Sequence, residues 1–192
     1  MSLNKINVRN WVLFLMVIAA VTYRFVQPGE QASWANFTPV GAIAMFAGTY
    51  FKNKFKAYLV PLSVLLLSDL LLTYTFTGQW NLFYEGFTMV YLSFAFMVFI
   101  GSLIRKVSIH TVLLGSLASV LVHWLLTDIQ PWLYGTMYSK DLTGYIHALI
   151  AAIPFEKNLL IGNLVFGAIL YGVFELAKYK FPALKTEKEI VY

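Results

Sequence analysis

The chain contains no cysteine and very little charge: of 192 residues, 14 are Lys or Arg and 9 are Asp or Glu, 12% in all. Without cysteine there is no disulfide and no thiolate metal ligand, and the redox compartment leaves no trace in the composition. The three histidines, His110, His123 and His147, show no metal-ligand spacing. There is no glycine-rich loop to cradle phosphates, so the chain hydrolyses no nucleotide by itself. No serine stands in a nucleophile-elbow pattern. These absences argue against an enzyme and against a bound cofactor or metal.

In place of charge the sequence carries apolar surface. Hydrophobic residues make up 59% of it, and the mean hydropathy is +0.70. Soluble domains run nearer about 45–50% apolar and about 25% charged, and a short soluble chain cannot bury such an excess. A lipid bilayer accommodates it. The net charge is +5 and the pI about 9.3. The basic residues sit in short runs between apolar segments, the pattern of the positive-inside rule, so a nucleic-acid partner is not expected.

A helix needs about 20 apolar residues to cross roughly 30 Å of hydrocarbon. On that basis we expect an all-α, polytopic membrane protein, a single domain over residues 1–192 with six transmembrane helices. The spans fall at about 10–27, 38–51, 57–76, 82–104, 107–127 and 157–177. The first follows Lys5 and Arg9 but lacks a small-residue cleavage site, so it reads as a retained helix rather than a signal peptide. The second is short. Either it is a short helix, or residues 32–37 continue it as irregular backbone, which membranes tolerate only inside protein or along a wet cavity. Thr38 and Pro39 suit its N-cap and first position.

With the N-terminus inside, eleven of the fourteen basic residues fall on the inner side and three, Arg24, Lys140 and Lys157, on the outer. That predicts both termini in the cytoplasm of a bacterial inner membrane. The longest connection, from Asp128 to Glu156, is expected outside. Within it Leu142 to Phe155 reads as an amphipathic helix lying at the interface, ended by Pro154. Small residues predict helix contacts: Gly41, Ala44 and Gly48 in the second span, Gly115 and Ser119 in the fifth.

Polar groups at membrane depth each need a reason, because ionisable side chains in lipid are costly unless paired or hydrated. The candidates gather in the expected outer half: Arg24, Asn36 and Thr38, Asp69, Tyr84 and Glu85, His123 and Trp124, Asn158 and Asn163. Together they are candidates to line a ligand pocket open to the outside. Asp69 is the strongest, since a short carboxylate two turns deep cannot reach the surface; it also suits a pair with Arg24. Blander uses exist for the rest. Arg24 can snorkel to headgroups, Glu85 can be solvated, and Trp124 can anchor at the interface. His123 can be a satisfied core histidine, and the asparagines can bond between helices. The inner half shows no comparable set, and Glu175 reads as an ordinary i,i+3 pair with Lys178.

The run Asn36-Phe-Thr-Pro-Val-Gly-Ala-Ile-Ala-Met-Phe-Ala-Gly-Thr-Tyr-Phe51 resembles the signature of an uncharacterised family of bacterial membrane transport proteins. So do Val60-Pro-Leu with Leu67-Ser-Asp-Leu70, and Leu142-Thr-Gly-Tyr with Ala152-Ile-Pro-Phe155. That family is itself similar to the S components of energy-coupling-factor vitamin transporters. The resemblance spans about Arg24 to Glu175. It implies a six-helix protein that captures a small nutrient in its outer half, with the loop between the first two helices as a lid. A separate ATP-driven module would be its partner. The chain departs from the pattern twice. Ala19 and Ala20 stand adjacent where S components space small residues, and Asn163 follows Gly162 where the family tends to carry an acid. A non-catalytic accessory or structural subunit of a larger membrane complex is the alternative, and a self-contained channel or carrier a weaker third.

Overall fold

The computed structural model describes residues 3–26, 34–81 and 83–185. Its described residues are helical throughout, without strands. The order is α1 (Leu3–Val26), α2 (Val40–Tyr50), α3 (Lys54–Thr77), α4 (Phe87–Leu103), α5 (Ile109–Thr127), α6 (Ile129–Leu133) and α7 (Leu142–Lys180), closed by a 3-10 turn at Pro182–Leu184. Three stretches are long and apolar enough to cross a membrane: Lys54–Thr75, Ile109–Leu133 and Leu142–Lys180. Shorter apolar helices run over Val8–Ala19, Val40–Tyr50 and Phe87–Leu103.

Local chemistry sets most helix ends. Asn53 caps α3 by accepting from Lys56 N at 3.1 Å, and Gly78 ends it in the left-handed conformation (φ 68) that glycine adopts without penalty. Ser108 and Thr111 form a reciprocal capping box on α5. Asp141 caps α7 through Gly144 N at 2.7 Å.

The bundle is built around α2. Every residue of it except Thr49 is buried, and it touches α3, α4, α5 and α7. Its crossing with α4 is backbone against backbone. A Cβ at Gly48 would meet Val98 C at 3.0 Å and Ser102 N at 2.9 Å; one at Gly101 would meet Met45 Cα at 2.8 Å. Such closeness lets helices associate where water supplies no driving force. The contacts of the expected small residues diverge: Gly48 serves α4, Gly41 abuts Asn163 of α7, and Gly115 faces the Met45 side chain. Ala44 and Ser119 are fully buried.

Around an apolar core, the outer surface is apolar too and several polar side chains lie inside. Leu114, Leu121, Ile150, Ile169 and Leu176 are exposed, while Ser93, Ser116, Ser119, His123, Glu156 and Asn163 are buried. An outer face this apolar suits contact with acyl chains rather than water.

The expected interfacial helix does not exist as a separate element. Helix α7 continues through Pro154 for 39 residues, about 58 Å at 1.5 Å per residue. Proline removes one N–H, the donor to the Ile150 carbonyl; one residue earlier Trp124 Nε1 donates to the Leu149 carbonyl at 2.9 Å and ties α5 to α7 there. The α5–α6 segment runs antiparallel to α7, with Val112 near Gly167, His123 at Glu156 and Leu125 at Tyr145. The connection between them shrinks to residues 134–141. Trp132 Nε1 donates there to Ser139 O and Asp141 O, both at 3.0 Å.

The second helix is short, as expected: 11 residues, about 16 Å. Irregular backbone leads into it. Phe37 N donates to Trp34 O at 3.0 Å, and Asn36 takes a positive φ of 66. This segment lies against the middle of α7, where Asn158 Nδ2 donates to Ala35 O at 2.9 Å and Phe37 packs on Phe166.

Candidate functional site

The contacts sort the polar side chains into two ends, an acidic one and a basic one. At the acidic end Asp69 of α3 is 9% exposed. Its Oδ2 accepts from Tyr84 Oη and Tyr91 Oη, each at 3.2 Å. Tyr91 lies in the first turns of α4 and Tyr84 in the loop before it, so one carboxylate ties that loop and α4 to α3. Tyr91 was not among the expected residues, and no spacing signals it, because Tyr84 precedes the helix that carries Tyr91. The Arg24 side chain lies outside the described residues, and with it the expected Arg24–Asp69 pair.

The centre of this end joins α5 to α7. His123 Nδ1 lies 2.9 Å from Glu156 Oε1, with side-chain exposures of 8% and 7%. The imidazole stands edge-on to Phe94 of α4 at 5.8 Å. Glu156 had been expected in the outer connection; the continuity of α7 carries it into the bundle instead, two turns before Asn163 on the same face. Among the described residues its Oε2 is buried without a hydrogen-bond partner, as are Ser119 Oγ and both amide atoms of Asn163. Asp128, the C-cap of α5, is 8% exposed.

The third feature is the start of α2. Pro39 supplies no side-chain cap. Thr38 Oγ1 accepts a long bond from Val40 N at 3.4 Å, so the helix begins one residue after the expected position. Among the described residues no acceptor meets the N–H groups of Gly41 and Ala42, and both residues are buried. The Asn163 amide packs against Gly41, where a Cβ would come within 3.0 Å of Asn163 Nδ2. A helix start leaves its first N–H groups without intrahelical acceptors; here two of them, those of Gly41 and Ala42, lie inside the protein beside an amide that is also unpaired among the described residues.

The remaining expected residues scatter. Asn36 is exposed, its left-handed φ being one that asparagine tolerates. Glu85 is exposed and accepts from Gln130 Nε2 at 2.8 Å. Trp124 is committed to Leu149, and Asn158 reaches Ala35.

The basic end gathers a second polar set that the sequence reading did not single out. Arg9 is 8% exposed; its Nη1 donates to Leu184 O at 2.5 Å and its Nη2 to Tyr50 O at 3.2 Å. Glu175 pairs with Lys178 at 2.8 Å, as expected, and also accepts from Tyr50 Oη. The Lys178 ammonium and the Arg9 guanidinium both lie over the Tyr50 and Phe174 rings, at 5.3 to 5.9 Å. Deeper in, Thr49 Oγ1 bonds Gly101 O at 2.9 Å and Tyr171 Oη at 2.8 Å. The cue for this end was a basic residue at helix spacing from an acid, too common to single out.

A family model matches residues 4–184, nearly the whole chain. The protein belongs to the DUF6580 family. That family is described as one of unknown function, so membership defines kinship without assigning chemistry. No curated protein and no solved structure matches the chain.

Proposed function

We propose that this protein binds a small solute in the acidic half of its bundle and serves its uptake across a bacterial inner membrane, in the manner of an S component. On this reading the chain crosses the bilayer six times with both termini in the cytoplasm. The basic end then faces inward, as the distribution of Lys and Arg favours. The first turns of α7 reach the outer interface, since its length exceeds the hydrocarbon by roughly 28 Å.

The observation that carries the reading is the uncapped, buried start of α2 beside Asn163. Interrupted helices whose ends open within the bundle are how membrane transporters present backbone donors to a substrate. Gly41, Ala42 and the Asn163 amide supply donors, and Asn163 and Thr38 supply acceptors. A small polar solute can complete such a set. The test is native mass spectrometry and thermal unfolding of the purified protein against a panel of vitamins, their precursors and metal ions. A stabilising ligand lost in Asn163→Ala and Thr38→Val is expected; a panel without any ligand would sink the reading.

The accessory-subunit alternative draws on the side chains bonded inside the bundle: Asp69 to two tyrosines, Asn158 to Ala35 and Trp124 to Leu149. Such bonds can be internal glue. Isolation from native membranes separates the two. Stoichiometric partners lacking an ATPase favour the accessory subunit, and co-purification of an ATP-driven module favours uptake.

A further inference from the structure

We propose that His123, Glu156 and Asp128 form a buried proton-binding site, with Glu156 Oε2 as the atom that takes the proton. The argument is one of charge and geometry. His123 Nδ1 and Glu156 Oε1 are 2.9 Å apart, and the pair bridges α5 and α7 among apolar side chains. The second carboxylate oxygen is buried and has no donor. A second acid, Asp128, is buried within electrostatic reach of both. With both acids ionised the site carries two negative charges against one imidazole, an arrangement that buried surroundings penalise heavily. A single proton, added to the Glu156 carboxylate from water to give the neutral acid, removes one of those charges. No electron moves and no other reactant is needed.

Among the described residues nothing else neutralises the site. On α4 the neighbour is Phe94, and Tyr91 is committed to Asp69. The first turns of α2, Val40 to Ala44, carry no titratable group. On α6, Gln130 turns to Glu85. On α7, Tyr145 donates to Leu125 O, while His147 and Lys157 are exposed. Ser119, one turn from His123 on the same face of α5, is the remaining polar neighbour, and its hydroxyl is unpartnered. Protonation thus weakens or strengthens a contact that ties α5 to α7. If the uptake reading holds, on which this clause alone rests, the site is where a proton gradient can act on the bundle.

The experiment uses the full-length protein in lipid nanodiscs. Infrared difference spectra between about pH 5 and pH 8, the range over which an imidazole changes charge, are compared for wild type and Glu156→Gln. In parallel, nitrogen resonances of labelled histidines are followed, with exposed His110 and His147 as references. A carboxyl band that titrates in wild type and is lost in Glu156→Gln, with a His123 resonance that moves in the same range, is expected. Asp128→Asn should keep the band and shift its midpoint to lower pH by about one unit, a tenfold loss of proton affinity, because a neighbouring negative charge is gone. A band unchanged between the two pH values, or one that persists in Glu156→Gln, overturns the proposal. Should Glu156→Gln fail to fold, a wild-type midpoint that Asp128→Asn leaves in place does the same. The solute screen is independent: ligand binding without proton uptake sinks this site alone, and proton uptake without any ligand sinks the uptake reading alone.

Discussion

Substituting alanine for Gly48 or Gly101 tests whether the α2–α4 crossing is as tight as the structure makes it. A Cβ at Gly48 would lie 2.9 Å from Ser102 N and 3.0 Å from Val98 C, and closer still to Val98 O. The obstacle is backbone, which cannot rotate away as a side chain would. Carbon and carbonyl oxygen rest about 3.3–3.6 Å apart, so the two axes must separate by more than about 1 Å. Overpacking on this scale costs roughly 1–3 kcal/mol. Separation also strains the Thr49 bond to Gly101 O, worth about 1 kcal/mol. Alanine returns up to about 1 kcal/mol through helix propensity. The expected net loss is about 2 kcal/mol for either single substitution. The double variant should lose less than the sum, because one widening relieves both clashes. Gly172→Ala is the control: nothing lies within 4 Å of its added Cβ, and propensity alone should make it neutral or slightly stabilising. Gly115→Ala should fall between, since its obstacle is the flexible end of Met45, 2.7 Å away. Unfolding in mixed micelles, followed by tryptophan fluorescence, orders the series. If Gly48→Ala and Gly101→Ala prove as stable as Gly172→Ala, the close crossing is wrong, and with it the central position of α2.

Removing one partner of the His123–Glu156 pair should cost more than removing both. His123→Leu strands a buried carboxylate at a cost of roughly 3 kcal/mol, and His123→Leu with Glu156→Leu should recover most of it in the same unfolding assay. At the start of α7, the Gly144 N–H and then the Ser139 hydroxyl hold the Asp141 carboxyl below its ordinary value of 3.8. The folded state therefore gains from its ionised form above that value, and the gain is lost as pH falls through the depressed one. The protection of the Gly144 amide, taken relative to its intrinsic exchange rate at each pH, should fall as pH drops through that depressed value, and an Asp141→Asn variant should show no such step. At the basic end, Arg9→Lys should not substitute for arginine, because one ammonium cannot span the carbonyls of Leu184 and Tyr50 as a planar fork does. Limited proteolysis near Pro182 should be several-fold faster in that variant, and equal rates would remove the latch from consideration.

The parts of the fold legible in the sequence are those governed by period and punctuation. Five of the six expected spans coincide with helices to within a few residues at most ends, because apolar runs bounded by Asn53, Gly78 and Ser108 leave little choice. The exception, the start of α1 apart, is α7. Proline at 154 reads as a stop on local grounds, and packing on α5 on both sides of it, through Trp124 to Leu149 and His123 to Glu156, carries the helix past it. That error displaced Glu156 from the bundle to a loop and hid the partner of His123. The candidate site was legible as a set of levels along helices but not as contacts: nothing in the spacing tells that Asp69 is bonded to two tyrosines while Asn163 is bonded to none. The basic end was missed for a different reason. Arg9, Tyr50, Glu175 and Lys178 come from three helices, and their meeting is a fact of packing alone.

That basic end bears on how an uptake protein of this build would release its solute. A molecule held beside Asn163 would next meet the rings of Phe46, Tyr50, Tyr171 and Phe174, whose centroids lie 4.6 to 5.7 Å apart. Two buried cations and Glu175 brace that layer from below. The α2–α4 crossing has no side chains to slide over, so it is the least able to give way. Helix α1 is the opposite case. It exposes Trp11, Leu15 and Ile18 while Leu13 and Val17 enter the core, touches α2, α3 and the 3-10 turn, and is fastened at this end by Arg9 to the carbonyls of Tyr50 and Leu184. Passage inward therefore asks for displacement of α1 and the end of α7, with Arg9 giving up two charge-assisted bonds. Binding energy from a small solute alone is poorly matched to that demand, which is why on this reading an external source of work, a partner module or a proton entering at Glu156, belongs to the mechanism.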